Sequence, residues 1–62
     1  MRRQILEFIQ EYTAVHSYSP TFREIGEEVG LAVSCVHYWM KKLVEDGALE
    51  YVPHKTRTIV LH

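Results

Sequence analysis

The chain has 62 residues, 47% hydrophobic and 24% charged, with a net charge of −1 and a single cysteine. It is long enough for one small domain, which buries only about 60% of its unfolded surface; no apolar run approaches the ~20 residues of a membrane span, and one cysteine makes no internal disulfide. Four scattered histidines and one cysteine lack zinc-finger spacing, so no metal or other cofactor is expected, and a binding module is a better expectation than an enzyme.

Arg2 to about His16 reads as a helix. Ile5, Phe8, Ile9 and Tyr12 follow helical spacing, and Arg3, Glu7, Gln10 and Glu11 fill the wet face. Those acids also leave no apolar core behind Met1-Arg2-Arg3, so no secretory signal is expected. Ser17-Tyr18-Ser19-Pro20 ends the helix, because Pro20 disfavours helical backbone at Ser19. Thr21-Phe22-Arg23-Glu24 fits a capping box and opens a second helix, about Phe22 to Val29, with Phe22, Ile25, Gly26 and Val29 inward. Gly30 can take the left-handed backbone that stops it. A third helix runs from near Val33 to about Asp46, with Gly47 as its stop. Ala48 to Val52 and Arg57 to Leu61 alternate as strands around a turn at Pro53-His54-Lys55-Thr56, with Ile59 and Leu61 inward. The order is helix, helix, helix, hairpin, in one domain over residues 1–62.

Glu24 to Leu43 is the informative stretch. A helix-turn-helix needs a small residue where its helices cross, a glycine about four residues on, and a branched apolar residue about six later. Gly26, Gly30 and Val36 meet these spacings, and Leu31 follows the glycine. Glycine within a short helix costs roughly 1 kcal/mol relative to alanine, so Gly26 suggests a close helix approach. A helical hairpin with an incidental glycine is the rival reading. On the third helix, Val36, Met40 and Leu43 share one face, with Trp39 at its edge. Ser34, His37, Tyr38 and Lys41 take the opposite face, and Cys35 and Lys42 flank it. This face carries no carboxylate, since Glu45 and Asp46 come only in the last turn. Such a bias suits a recognition helix in a major groove better than an idle solvated face.

The hairpin then reads as a wing, with Lys55, Arg57 and His54 placed to meet a DNA backbone. Thr21 and Arg23 open the second helix, whose amides favour a phosphate, and Tyr18 and Ser19 can add hydroxyl contacts. Nucleic-acid binders are usually basic, and this chain is not. Its charge is uneven, however: residues 1–31 carry −2 and residues 32–62 carry +1. Glu24, Glu27 and Glu28 are expected away from the groove. Cys35 is read as a small, partly packed helix residue, with a redox reporter as the alternative.

Several segments together resemble a family. They are Arg3-Gln4-Ile5-Leu6-Glu7-Phe8-Ile9, Ser19-Pro20-Thr21-Phe22-Arg23-Glu24-Ile25-Gly26, Val29-Gly30-Leu31-Ala32, Ser34-Cys35-Val36-His37 and Lys42-Leu43-Val44-Glu45-Asp46-Gly47. They resemble the N-terminal winged helix of LexA-type SOS repressors over nearly the whole chain. The resemblance implies a winged helix-turn-helix of three helices plus a two-stranded wing. It implies sequence-specific binding to double-stranded operator DNA, usually as a dimer on a palindrome. By position, Ser34, Cys35, His37 and Tyr38 would face bases, while Arg23, Lys41 and the wing would hold phosphates; with Thr21 at the start of the second helix and Lys42 on the flank of the third, the expected backbone contacts are Thr21, Arg23, Lys41, Lys42, Lys55 and Arg57.

This sequence departs from the family's pattern in three ways. Its turn between Gly30 and Val36 is one residue shorter. Tyr38 and Trp39 are bulkier than the family's common residues there. The family's self-cleaving domain, with its Ser/Lys dyad and main dimer interface, has no counterpart in these residues. The chain is therefore read as a DNA-binding domain standing without that partner domain, either a piece of a longer protein or a small phage or mobile-element regulator. A cytoplasmic, non-enzymatic transcriptional regulator is expected. The rival is a winged helix that binds a protein such as a repressor or polymerase component. Self-association on DNA through the wing would use Val52 and Val60, unless these cover the edge of the core.

Overall fold

Ile5 and Ile9 stand one helical turn apart and are both wholly buried, which fixes the inner side of α1 (Arg2–His16). The computed structural model describes residues 1–62 and continues with α2 (Phe22–Val29), α3 (Val33–Glu45), β1 (Leu49–Glu50) and β2 (Val60–Leu61). Both ends of α1 and α2 match the sequence reading, and α3 ends at Glu45 with Asp46 as its cap. α1 stops two residues before Ser19, where the proline acts: Ser17 takes a left-handed backbone at φ 66°, and its N–H donates to the Thr13 carbonyl.

The capping box at α2 is complete. The Glu24 N–H donates to the Thr21 hydroxyl at 3.1 Å, and the Thr21 N–H donates to Glu24 Oε1 at 2.8 Å. At the other end Gly30 has φ 76°, and its N–H and that of Leu31 both turn back to the Gly26 carbonyl. The α2–α3 crossing needs Gly26 to be glycine. A Cβ there would lie 2.6 Å from the Leu31 carbonyl oxygen and 3.2 Å from Val36 Cγ2. The spacing of Gly26, Gly30 and Val36 is thus a helix-turn-helix packing contact and not an incidental glycine.

One core joins all the elements: Ile5, Ile9, Ile25, Val36, Met40, Leu43, Leu49 and Ile59. Each helix contributes its apolar stripe and the hairpin contributes one residue per arm. Burying such side chains is worth roughly 1.5–3 kcal/mol each, which is how a chain this short folds on packing. An exposed ion pair, Arg2 to Asp46 at 2.7 Å, ties the start of α1 to the end of α3.

The wing departs most from expectation. Two five-residue alternating strands were expected, but only Leu49–Leu61 and Glu50–Val60 pair, antiparallel. Beyond them the chain leaves extended geometry, with His54 at φ 66° and Arg57 at φ 57°. Side chains replace the ladder. The Val52 N–H donates to Thr58 Oγ1 at 2.9 Å, and the Ile59 N–H donates to the Ser19 hydroxyl at 3.1 Å. Ile59 is buried, as its alternation implied, and Leu61 is half-buried.

Candidate nucleic-acid interface

α3 is held by Val36, Met40 and Leu43, all at most 1% exposed. Trp39 is half-buried at the edge of that face. This anchoring turns Ser34, Cys35, His37, Tyr38, Lys41 and Lys42 outward, and all six are exposed. Cys35 is therefore an open surface thiol and not the partly packed residue expected. Tyr38 is 58% exposed, and its ring lies 5.6 Å from Lys42 Nζ, so the two share one patch. His37 meets the edge of the Phe22 ring at a centroid separation of 4.7 Å. Phe22 in turn packs against Tyr51. His37 is thus set at the mouth of an open cleft between α2 and the wing, which Arg23, His54 and Lys55 also line.

The other expected backbone contacts divide into two groups. Arg23, Lys41, Lys42 and Lys55 are exposed. Thr21 and Arg57 are engaged within the chain. Thr21 spends its N–H and its hydroxyl oxygen on Glu24, so the start of α2 carries its own carboxylate beside the amides of Phe22 and Arg23. Arg57 does not project from the wing as a free cation. Its guanidinium donates to both Glu24 oxygens, at 3.2 and 3.3 Å. The Thr21 amide, Arg57 and Tyr12 together hold the Glu24 carboxyl down to about 2, against some opposing desolvation. Hydrogen bonds to Tyr12 and Glu24 raise the Arg57 pKa above its ordinary value.

Ser19 is also not the surface hydroxyl expected. It is buried, and the Ile59 amide occupies its oxygen. The wing needs an acceptor beside the α1–α2 loop, and Ser19 supplies it. Val52 and Val60 are 48% and 54% exposed, so they do not cover the core from its edge. Glu27 and Glu28 lie exposed on α2, and Glu24 is turned to Arg57. Asp46 is paired with Arg2. The outer face of α3 therefore presents two lysines and no carboxylate until its last residue, Glu45.

The family model for the LexA DNA binding domain matches residues 1–58. The LexA repressor of Pelotomaculum thermopropionicum is 46% identical over 56 residues, covering 89% of this chain and 28% of that protein. That of Geobacillus thermodenitrificans is 44% identical over 59 residues, covering 94% and 28%. That of Corynebacterium efficiens is 39% identical over 59 residues, covering 94% and 25%. The chain thus spans about a quarter of the length of the curated relatives it matches. With three helices, a tight Gly30 turn and a two-stranded wing in the matched order, this chain belongs to the LexA DNA-binding domain family.

Proposed function

We propose that this chain is a sequence-specific double-stranded DNA-binding module acting in transcriptional repression, with α3 in the major groove and the wing on the backbone. The observation that carries the reading is the outer face of α3: exposed, cationic and rigidly backed by the core. Ser34, Cys35, His37 and Tyr38 are the base readers, because their polar and aromatic groups stand where a groove would receive them. Arg23, Lys41, Lys42 and Lys55 hold phosphates, and such contacts fix register without reading sequence. The relatives' name, LexA repressor, supports repression as the outcome.

One small module buries little DNA surface. Two copies on half-sites related by a two-fold axis would add to it, with Val52 and Val60 as the exposed apolar residues nearest such a contact. The same two valines and Tyr38 favour the second reading, a module that binds a protein partner. No helix is long and apolar enough to cross a membrane.

Duplex binding across a salt series tests the reading. Affinity should fall steeply as salt rises, and Lys41→Ala should weaken binding to all sequences and reduce the slope by roughly 0.9. His37→Ala and Tyr38→Ala should instead change which bases are preferred, by about 1–3 kcal/mol per contacted step. A folded domain that binds no duplex at low salt would overturn the DNA reading in favour of the protein partner.

A further inference from the structure

Arg57 is the wing's second cation after Lys55, yet both terminal nitrogens of its partly exposed guanidinium are engaged within the chain, while Nε–H has no partner. Nη1 donates to Glu24 Oε1 at 3.2 Å, to the Tyr12 hydroxyl at 3.1 Å and to the Ser19 carbonyl at 3.2 Å. Nη2 donates to Glu24 Oε2 at 3.3 Å. The group also lies over the Tyr18 ring, 4.7 Å from its centroid. A guanidinium has a fixed fork of donors. Here both of its ends already sit on one carboxylate, the two-pronged geometry that makes such pairs strong.

The partners come from three places: α1, the α1–α2 loop and α2. Two residues further on, the Ile59 amide is pinned to the same loop through the buried Ser19 hydroxyl. Between these anchors and the short ladder, the wing has no other tie to α1 or α2 of this kind. The left-handed backbone at Arg57, φ 57°, is one that a side-chain-bearing residue seldom adopts.

We propose that Arg57 is a positioning residue: clamped on Glu24, it sets the wing against α2, so that Lys55 and not Arg57 carries the wing's charge to the phosphates. The proposal rests on the DNA-binding reading above. Glu24 then serves twice, closing the N-terminus of α2 and holding the wing, so the first helix of the helix-turn-helix and the wing move as one unit.

The test compares duplex affinity over a salt series for the unaltered chain, Glu24→Gln, Arg57→Gln, the double variant and Lys55→Ala. Glutamine at position 24 keeps the capping box, since its amide oxygen still accepts from Thr21, while the charge of the pair is lost. Glu24→Gln and Arg57→Gln should each weaken binding about threefold to fivefold, the scale of a partly exposed pair, with no change in salt slope. The double variant should be no weaker than the weaker single one. Lys55→Ala should flatten the slope by roughly 0.9.

If Arg57 instead held a phosphate, Arg57→Gln would flatten the slope by that amount, and Glu24→Gln, by releasing Arg57, would tighten binding. Either result overturns the proposal and leaves the DNA reading intact. An unaltered chain that binds no duplex overturns both. Amide spectra provide a readout of folding and of wing position together. Both single variants should shift the Lys55–Ile59 amides and spare those of α3, and unmoved wing amides would sink the clamp.

Discussion

The helical part and the wing are held by different physics. In α1, α2 and α3, buried aliphatic side chains at helical spacing carry the structure, six of the eight core residues among them. The wing contributes Leu49 and Ile59, two ladder pairs, and then a set of polar contacts made by Ser19, Thr58, Arg57 and Glu24. Packing of the first kind resists most single changes but fails steeply when a buried residue is lost. Polar anchoring of the second kind contributes less per contact and fails more locally when one partner is removed.

The largest expected effect therefore lies in the core. Met40 is wholly buried, one turn from Val36 and in contact with the same cluster. Met40→Ala should destabilise the domain by about 2–5 kcal/mol, the range for emptying such a site. That is a large part of what a domain this small possesses. Denaturant unfolding measures it. A loss below about 1 kcal/mol would mean that the core collapses freely around the gap and that the contrast with the wing is overdrawn.

Next comes the helix crossing. Gly26→Ala adds a methyl group that meets backbone at 2.6 Å. Overpacking costs about 1–3 kcal/mol, offset by up to about 1 kcal/mol of better helix propensity. We expect net destabilisation of about 1–2 kcal/mol, with α2 and α3 pushed apart. The same denaturation experiment decides, and a stabilised variant would show that the Leu31 carbonyl moves aside without loss.

Much of this was legible in the residues, and unevenly so. Apolar spacing located all three helices and named the buried residues Ile5, Ile9, Ile25, Val36, Met40 and Leu43, because periodicity records which face is wet. Thr21 and Glu24 announced their cap because the partners lie three residues apart. The outer face of α3 followed from the same periodicity. The wing did not yield to that reasoning. Its alternating pattern promised long strands, but only two ladder pairs form, and Arg57, expected to open the second strand, takes left-handed backbone instead. Alternation reports which way side chains point and carries no record of whether the backbone bonds survive. The hydrogen bonds that engage Ser19 and Arg57 within the chain escape the same reasoning for a related cause. Their partners, Ile59 and Glu24, lie 40 and 33 residues away, and polar residues near a turn look alike whether they face solvent or one another.

A smaller effect should separate the two regions directly. Ser19→Ala removes the acceptor of the Ile59 amide and should cost about 1 kcal/mol, near the lower end for stranding a buried donor. The loss should be concentrated in the wing. Hydrogen exchange at Ile59 should quicken markedly while the amides of α1 and α3 keep their protection. Uniform loss of protection would mean that the wing and helices open as one unit and that the distinction between them fails.

The smallest expected effect is on acid stability, and it isolates the residue where the two regions meet. Glu24 titrates near 4.5 in its ordinary state and at about 2 in the folded chain, first because the Thr21 amide donates to it and then because of Arg57 and Tyr12. The unfolded chain thus takes up this proton before the folded one does. The contribution of Glu24 is fully present above about pH 4.5 and is lost as pH falls toward 2. Because its side chain is about one-third exposed, solvent screening keeps this contribution modest. Thermal midpoints measured from pH 6 to pH 2 should fall for the unaltered chain and for Glu24→Gln, since other carboxylates titrate in both. The fall between 4.5 and 2 should be shallower for Glu24→Gln, because its amide has no proton to gain. Arg57→Gln should lie between the two, since it leaves in place the amide bond that contributes most to the shift. Parallel profiles for the unaltered chain and Glu24→Gln would show that Glu24 is no better held in the folded domain than in the open chain, and that the cap and the clamp add nothing to acid stability.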